Sequence, residues 1–366
     1  MVILNMKRKK CRGHIVRLNS HITHSLKTFE KLSKLPILGF LLLYVAALTY
    51  GCTPYDCCSP SKDTKVKLLM KSSSAAVREN SVYNSLDIFT FNDDILKRID
   101  SYVRYDMPAG NLCEVASRTG PKIVGIIANS HMGRYDWGSV NSLESFCDIR
   151  TDLEKEERAF PSMSGFIAVD ESSERIKEVR IEPICSKVTL RSIRCDFKGK
   201  PYEDEMIENV KVYLTNVSAR CRFMSEGYDL PERIINIGGL SEYDVGQFRE
   251  PDIIFKTIPL PIGKNTVYPG ISLLCYPNSG KDETPGTPFT RLVIEGELDG
   301  NIWYWPININ RDDGGNGIGR NRTYIYDITI TCKGSTNPDT VIDSEQLKLK
   351  TSVKEWLEQE AYGVQF

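Results

Sequence analysis

Leu292 to Ile309 reads LVIEGELDGNIWYWPINI, and this stretch decides the fold class. Two apolar runs, Leu292 to Leu298 and Asn301 to Ile309, flank Asp299-Gly300, a favoured two-residue hairpin turn. The same habit extends in both directions. Tyr324 to Cys332 (YIYDITITC) and Leu347 to Trp356 (LKLKTSVKEW) alternate as strands, as do Val188 to Arg191 and Val210 to Thr215. Upstream, Lys65 to Met70 (KVKLLM) and Ser85 to Phe91 (SLDIFTF) are strand-like, the latter ending in the turn residues Asn92-Asp93-Asp94. Ile123 to Ala128 (IVGIIA) is apolar throughout, so it belongs at the centre of a sheet or is buried on both faces. Short strands separated by turn signals imply β-sandwiches. The exception is residues 139 to 158, SVNSLESFCDIRTDLEKEER, where the pattern predicts a helix with a solvated acidic and basic face.

The N-terminus has a different character. Lys and Arg residues precede an apolar run of about seventeen residues, shorter than the ~20 that span a bilayer comfortably, which gives the n- and h-regions of a secretory signal. The run ends at Leu48-Thr49-Tyr50-Gly51-Cys52. A small residue directly before a cysteine predicts a lipoprotein signal over residues 1–51, with Cys52 lipidated. A membrane anchor or a plain cleaved signal is the alternative.

Composition excludes several functions. The net charge of −1 gives no basic excess for nucleic acid. Three of the four histidines (His14, His21, His24) fall in the leader, so His131 alone remains for catalysis or metal binding. Met163-Ser164-Gly165 lacks the first glycine of a nucleophile elbow. No carboxylate pair suggests glycan hydrolysis. The chain therefore reads as a non-enzyme, with no cofactor, metal or catalytic residue assigned. Arg311 to Arg320 (RDDGGNGIGR) lacks the Lys-Ser/Thr pair of a phosphate loop and the bidentate Glu of an EF-hand, leaving a plain loop or a calcium site on Asp312, Asp313 and Asn316. Trp303, Tyr304 and Trp305 are either core aromatics or a sugar platform. Cys113, Cys147, Cys185, Cys195, Cys221, Cys275 and Cys332 are scattered, without a CxxC pair, and read as buried small hydrophobes or one or two disulfides.

The order of these pieces resembles a known family. The Cys52 tether, KVKLLM, the small and polar KSSSAAVREN with Arg78, SLDIFTF with Asn92-Asp93, Ala109-Gly110, IVGIIANS, FPSMSG and ICSKVTL look like the fimbrillins, the type V pilins of Bacteroidia. The ending, NRTYIYDITITCKG followed by LKLKTSVKEWLEQEAYGVQF, is similar to that of the stalk-forming fimbrillin. The resemblance implies an all-β chain with minor helix: two transthyretin-like Greek-key sandwiches in tandem, over 61–182 and 183–366. It implies a removable segment, 52–78, cut after Arg78 by an arginine-specific protease. It also implies a C-terminal tail whose Val353, Trp356 and Val364 fill a neighbouring subunit's groove by strand exchange. Expected partners are other fimbrial subunits, the outer membrane through the lipid on Cys52 before processing, and a host glycan or protein. The expected location is the outer membrane and then the fimbrium. The alternative within the same fold is an anchor or tip adhesin that does not polymerise.

Overall fold

The computed structural model describes residues 63–72, 83–106, 108, 110–130, 137–170, 176–224, 230–311, 315–340, 342 and 347–356. The leader, Cys52, Arg78, His131, Asp312, Asp313 and Val364 lie outside the described residues.

The first half carries β1 (Asp63–Ser72), β2 (Ser85–Asn92), β3 (Ile99–Asp106), β4 (Leu112–Arg118), β5 (Lys122–Ala128), β6 (Arg150–Asp152), β7 (Met163–Val169) and β8 (Lys177–Pro183). The second half carries β9 (Ser186–Cys195), β10 (Glu208–Thr215), β11 (Val217–Arg222), β12 (Glu232–Ile235), β13 (Phe255–Thr257), β14 (Ile271–Cys275), β15 (Arg291–Leu298), β16 (Asn301–Asn308), β17 (Arg322–Ile330) and β18 (Leu347–Glu355). The chain is thus predominantly β, as its alternating pattern requires.

Seven strands of the first half form one sheet in the order β3-β2-β5-β7-β8-β1-β4. Its outermost strands meet through side chains, folding the sheet over its own core: the Ser117 hydroxyl of β4 donates to Asp100 of β3 at 2.9 Å. Burial would raise the Asp100 carboxyl, but the Arg118 N–H, the Ser117 hydroxyl and the Lys122 ammonium hold it below the usual carboxylate range. Strand β5 is central, as its unbroken apolar run requires. Val124, Ile126 and Ala128 enter the first core, while Ile127 belongs to a second core that runs into the other half of the chain.

In the second half, sheets of order β13-β10-β15-β16 and β14-β9-β17-β18 supply the residues of that second core. Strands β15 and β16 pair from Arg291↔Asn308 to Leu298↔Asn301, and the turn residues Asp299 and Gly300 have φ of 55° and 69°. Both central residues at positive φ is the two-residue hairpin geometry that Asp-Gly favours. Trp305 is fully buried with its indole N–H on the Cys332 carbonyl at 3.0 Å, and half-buried Trp303 donates to Leu298 at 3.2 Å, so both rings serve packing. Among the described residues these seven cysteines form no disulfide, and burial pushes the thiols of Cys195 and Cys275 up to about 12.

The long helix expected over residues 139 to 158 is not formed. A single turn, α1 (Leu143–Cys147), begins at a Ser142–Ser145 capping box and buries Phe146 against Phe89, with ring centroids 4.8 Å apart. The chain then becomes β6, which pairs with β11 through Arg220↔Asp152, Cys221↔Thr151 and Arg222↔Arg150. Phe146, Ile149 and Leu153 have helical spacing, yet pairing with a strand some seventy residues downstream buries Thr151 and Leu153, and tertiary burial outweighs propensity differences of a few tenths of a kcal/mol per residue. This pairing also joins the stretch before residue 182 to the stretch after 183. A second short helix, α2 (Glu242–Gly246), is capped by Ser241.

Candidate functional site

The first strand holds an unusual place. β1 lies between β8 and β4, parallel to β8 (Leu68↔Lys177 to Ser72↔Ile181) and antiparallel to β4 (Asp63↔Arg118 to Leu69↔Leu112). Its period of two divides it cleanly: Val66, Leu68 and Met70 are buried, while Lys65, Lys67 and Lys71 are exposed. The three buried residues sit among Cys113 and Val115 of β4, Val179 and Ile181 of β8, and Tyr83, Leu86 and Ile88. Fully burying each apolar side chain contributes roughly 1.5 to 3 kcal/mol. The ion pairs Lys65–Glu114 (3.3 Å) and Lys71–Glu178 (2.7 Å) are exposed, and such pairs contribute about 0 to 1 kcal/mol. The strand is therefore held by its two main-chain ladders and three apolar pegs. Taking it out would bare unpaired N–H and C=O groups on β8 and β4 beside three vacant pockets.

The lining of this slot is the part that sequence reasoning did not name. Leu112 to Arg118 (LCEVASR) alternates strictly between exposed and buried, which is a readable strand signal. Which strand lies beside it is a matter of pairing across some fifty residues, and period alone carries no such information.

Beside the slot, β7 and β8 pair only at Met163↔Pro183 and Ser164↔Glu182, then part. Gly165 permits this close approach: a Cβ there would fall 2.2 Å from the Arg180 carbonyl oxygen. Gly165→Ala should destabilise the chain by about 1 to 3 kcal/mol, because main chain on both strands must shift. Urea unfolding checks this, and an unchanged midpoint would show that the two strands part freely. Arg320 pins the same corner, donating to the carbonyls of Pro183 (3.1 Å), Phe223 (3.1 Å) and Glu182 (2.8 Å). Its loop is anchored on both sides, with Arg311 3.9 Å over the Phe289 ring and Ile318 bridged to Asn278.

The tail candidates occupy the far edge of the second half. β18 pairs with β17 through nine register positions, Arg322↔Glu355 to Ile330↔Leu347, and has no strand on its other side among the described residues. Val353 is 45% exposed, whereas Trp356 is buried beneath the Lys187 ammonium, 4.8 Å from its ring centroid. Within β18 only Leu347 is fully buried, so the strand is anchored chiefly at its two ends, by Leu347 and by Trp356 just beyond it. Glu355 meets Arg180 of β8 at 3.1 Å, which places the end of β18 beside the strand that lines the β1 slot.

No protein-family model matches the sequence, and no curated protein matches it either. Solved structures do share its fold. A fimbrilin from Porphyromonas gingivalis W83 is 14% identical with a TM-score of 0.59, covering 81% of this chain and 98% of that one. A candidate cell-adhesion protein from Bacteroides eggerthii DSM 20697 is 14% identical with a TM-score of 0.60, covering 81% and 97%. Another, from Parabacteroides distasonis ATCC 8503, is 15% identical with a TM-score of 0.59, covering 81% and 98%. At this identity the likeness defines the fold: an all-β, type V pilin-like tandem sandwich shared with Bacteroidia fimbrilins.

Proposed function

We propose that this chain is a structural subunit of a cell-surface fimbrium, exported as a lipoprotein and polymerised by strand exchange after its first strand is cut away. The observation that carries this reading is the place of β1. Among the described strands of its sheet β1 comes first along the chain, it is inserted between two others with three pegs in the core, and one cut after it severs it from the other six. The chain that follows it contains Arg78 in a small, polar stretch of the kind proteases favour. A free edge on each side of the vacated slot is a template for an incoming strand. Main-chain pairing would supply affinity, and alternate side chains entering the pockets of Val66, Leu68 and Met70 would set register. Head-to-tail repetition of such a contact does not close, and so builds a filament.

The likeness to a fimbrilin and to candidate cell-adhesion proteins supports a role at the cell surface rather than catalysis. The deciding experiment is N-terminal sequencing of the protein in sheared surface filaments. A start just after Arg78 supports the reading, and a start at Cys52 or absence from filaments overturns it.

Export as a lipoprotein predicts its own phenotype. Cys52→Ser should abolish lipid attachment and leave unprocessed precursor at the inner membrane, because a serine oxygen does not replace the thiolate as acceptor of the diacylglyceryl group. Metabolic labelling with a fatty-acid analogue reads this, and equal label in both proteins excludes the assignment.

One observation favours a second reading. Nine register pairs hold β18 in its own sheet, as suits an anchor or tip subunit that keeps its tail at home and binds a glycan or host protein.

A further inference from the structure

The outer face of the sheet β14-β9-β17-β18 carries a cleft of about 510 Å³, lined among others by Arg191, Arg194, Tyr268, Asp327, Lys348 and Lys350. Cross-strand register builds it. Thr329 stands between Arg194 of β9 and Lys348 of β18, and Asp327 between Ser192 and Lys350. Four cations therefore face the single carboxylate of Asp327, and that carboxylate is already engaged. Arg191 holds it with both arms of its guanidinium, Nε to Oδ1 at 2.8 Å, and the Ser192 hydroxyl donates to it at 2.7 Å. This pairing keeps the Asp327 carboxyl down at about 2, so it remains an anion matched to Arg191 at any ordinary pH.

Arg194, Lys348 and Lys350 are exposed, and among the described residues no carboxylate lies within ion-pair distance of them. Arg194 of β9 and Lys348 and Lys350 of β18 flank β17 on one face, where only the Asp327 carboxylate, already held by Arg191, offers an opposing charge. The rest of the lining is suited to sugar: the Thr266 hydroxyl, the Thr329 hydroxyl, which accepts from Arg194 Nε at 3.2 Å, and the Tyr268 ring, 75% exposed, at the rim. An aromatic face packs on the C–H surface of a pyranose while its hydroxyl stays wet.

We propose that this cleft binds an acidic glycan, its sulfate or carboxylate groups on Arg194, Lys348 and Lys350 and a sugar ring on Tyr268. Charge complementarity supplies the attraction, and the concave, hydroxyl-lined wall distinguishes a sugar chain from a flat lipid surface. With a net charge of −1 the chain as a whole has no cationic excess, so attraction of a polyanion to the β fold must come from a local cluster such as this one. The proposal does not rest on strand exchange, since Lys348 and Lys350 precede the tail at Thr351 and the uncut chain carries the site.

The test uses the full chain and heparin as the sulfated probe, followed by calorimetry at two salt concentrations, with uncharged dextran, polyglutamate and phosphatidylglycerol vesicles alongside. Heparin should bind, weaken with salt, and resist competition by dextran. The double substitution Lys348→Gln/Lys350→Gln should weaken heparin at least tenfold and Tyr268→Ala about threefold, both without moving the thermal midpoint because these side chains are exposed. Lys198→Gln/Lys200→Gln, exposed cations on the β9–β10 connection, should leave binding within twofold. Absence of heparin binding, an equal loss in the Lys198/Lys200 control, or polyglutamate or vesicles binding as tightly through Lys348 and Lys350 overturns the proposal. Loss of filaments with heparin binding intact leaves it standing and counts against strand exchange alone.

Discussion

Arg78→Ala is expected to keep β1 seated in its sheet and to stop filament growth. The reason is competition for one slot. While the chain is continuous, Asp63–Ser72 faces β8 and β4 at an effective concentration of order millimolar, about a thousandfold above a neighbour's strand at micromolar concentration, so an equally complementary donor loses. Cutting the connection reverses the balance, because the freed segment dilutes away once it leaves. Purified precursor treated with an arginine-specific protease should lose the segment ending at Arg78, stay compact and begin to form SDS-resistant ladders, whereas Arg78→Ala should do none of these. Two other basic residues flank the same stretch, and their settings suit cleavage less well. Lys71 lies within the β1 ladders, and Arg98 is bridged to Ser142 at the start of β3, so neither presents the extended free segment a protease binds. Equal filament formation by both proteins, or first cleavage at another site, would make Arg78 an ordinary linker residue and favour the anchor or tip reading.

Deleting Thr351–Phe366 is expected to give a folded subunit that accepts a strand but donates none. The deletion removes half of an edge strand whose side chains there are exposed or half-buried, together with Trp356. Loss of a buried Trp costs about 3 to 5 kcal/mol, so the thermal midpoint should fall by on the order of 10 °C while the β circular-dichroism signature persists. Mixed with cut wild-type subunits, the truncated protein should terminate growing chains in proportion to its share. This dominant effect separates a donor tail from a merely structural one. An insoluble product, or ladders as long as those of wild type, would assign Val353, Trp356 and Val364 to the chain's own fold and remove the donor role.

Much of the architecture was legible because strand signals are local. The Asp299-Gly300 turn needs two adjacent residues at positive φ and has them. The apolar run of Ile123 to Ala128 implied a strand central in a sheet or buried on both faces, and it divides its side chains between two cores. KVKLLM read as a strand, and in the fold Val66, Leu68 and Met70 form its buried face. Residues 139 to 158 misled for the complementary reason. Their helical spacing is real, but β11 offered Arg150–Asp152 a ladder, and a contact about seventy residues away leaves no mark on local periodicity.

The sequence by itself carried the class and many of the strands, and it put forward Cys52 and Arg78 as expectations. Tertiary structure alone decided which edges meet. It set β1 between β8 and β4, and it laid Arg194, Thr329 and Lys348 in one row from three strands that together span some 150 residues of the chain. The physical reason is that alternation is written in neighbouring residues two apart, whereas pairing is settled by competition among all the open edges for the register that buries most apolar surface and leaves fewest backbone groups unpaired.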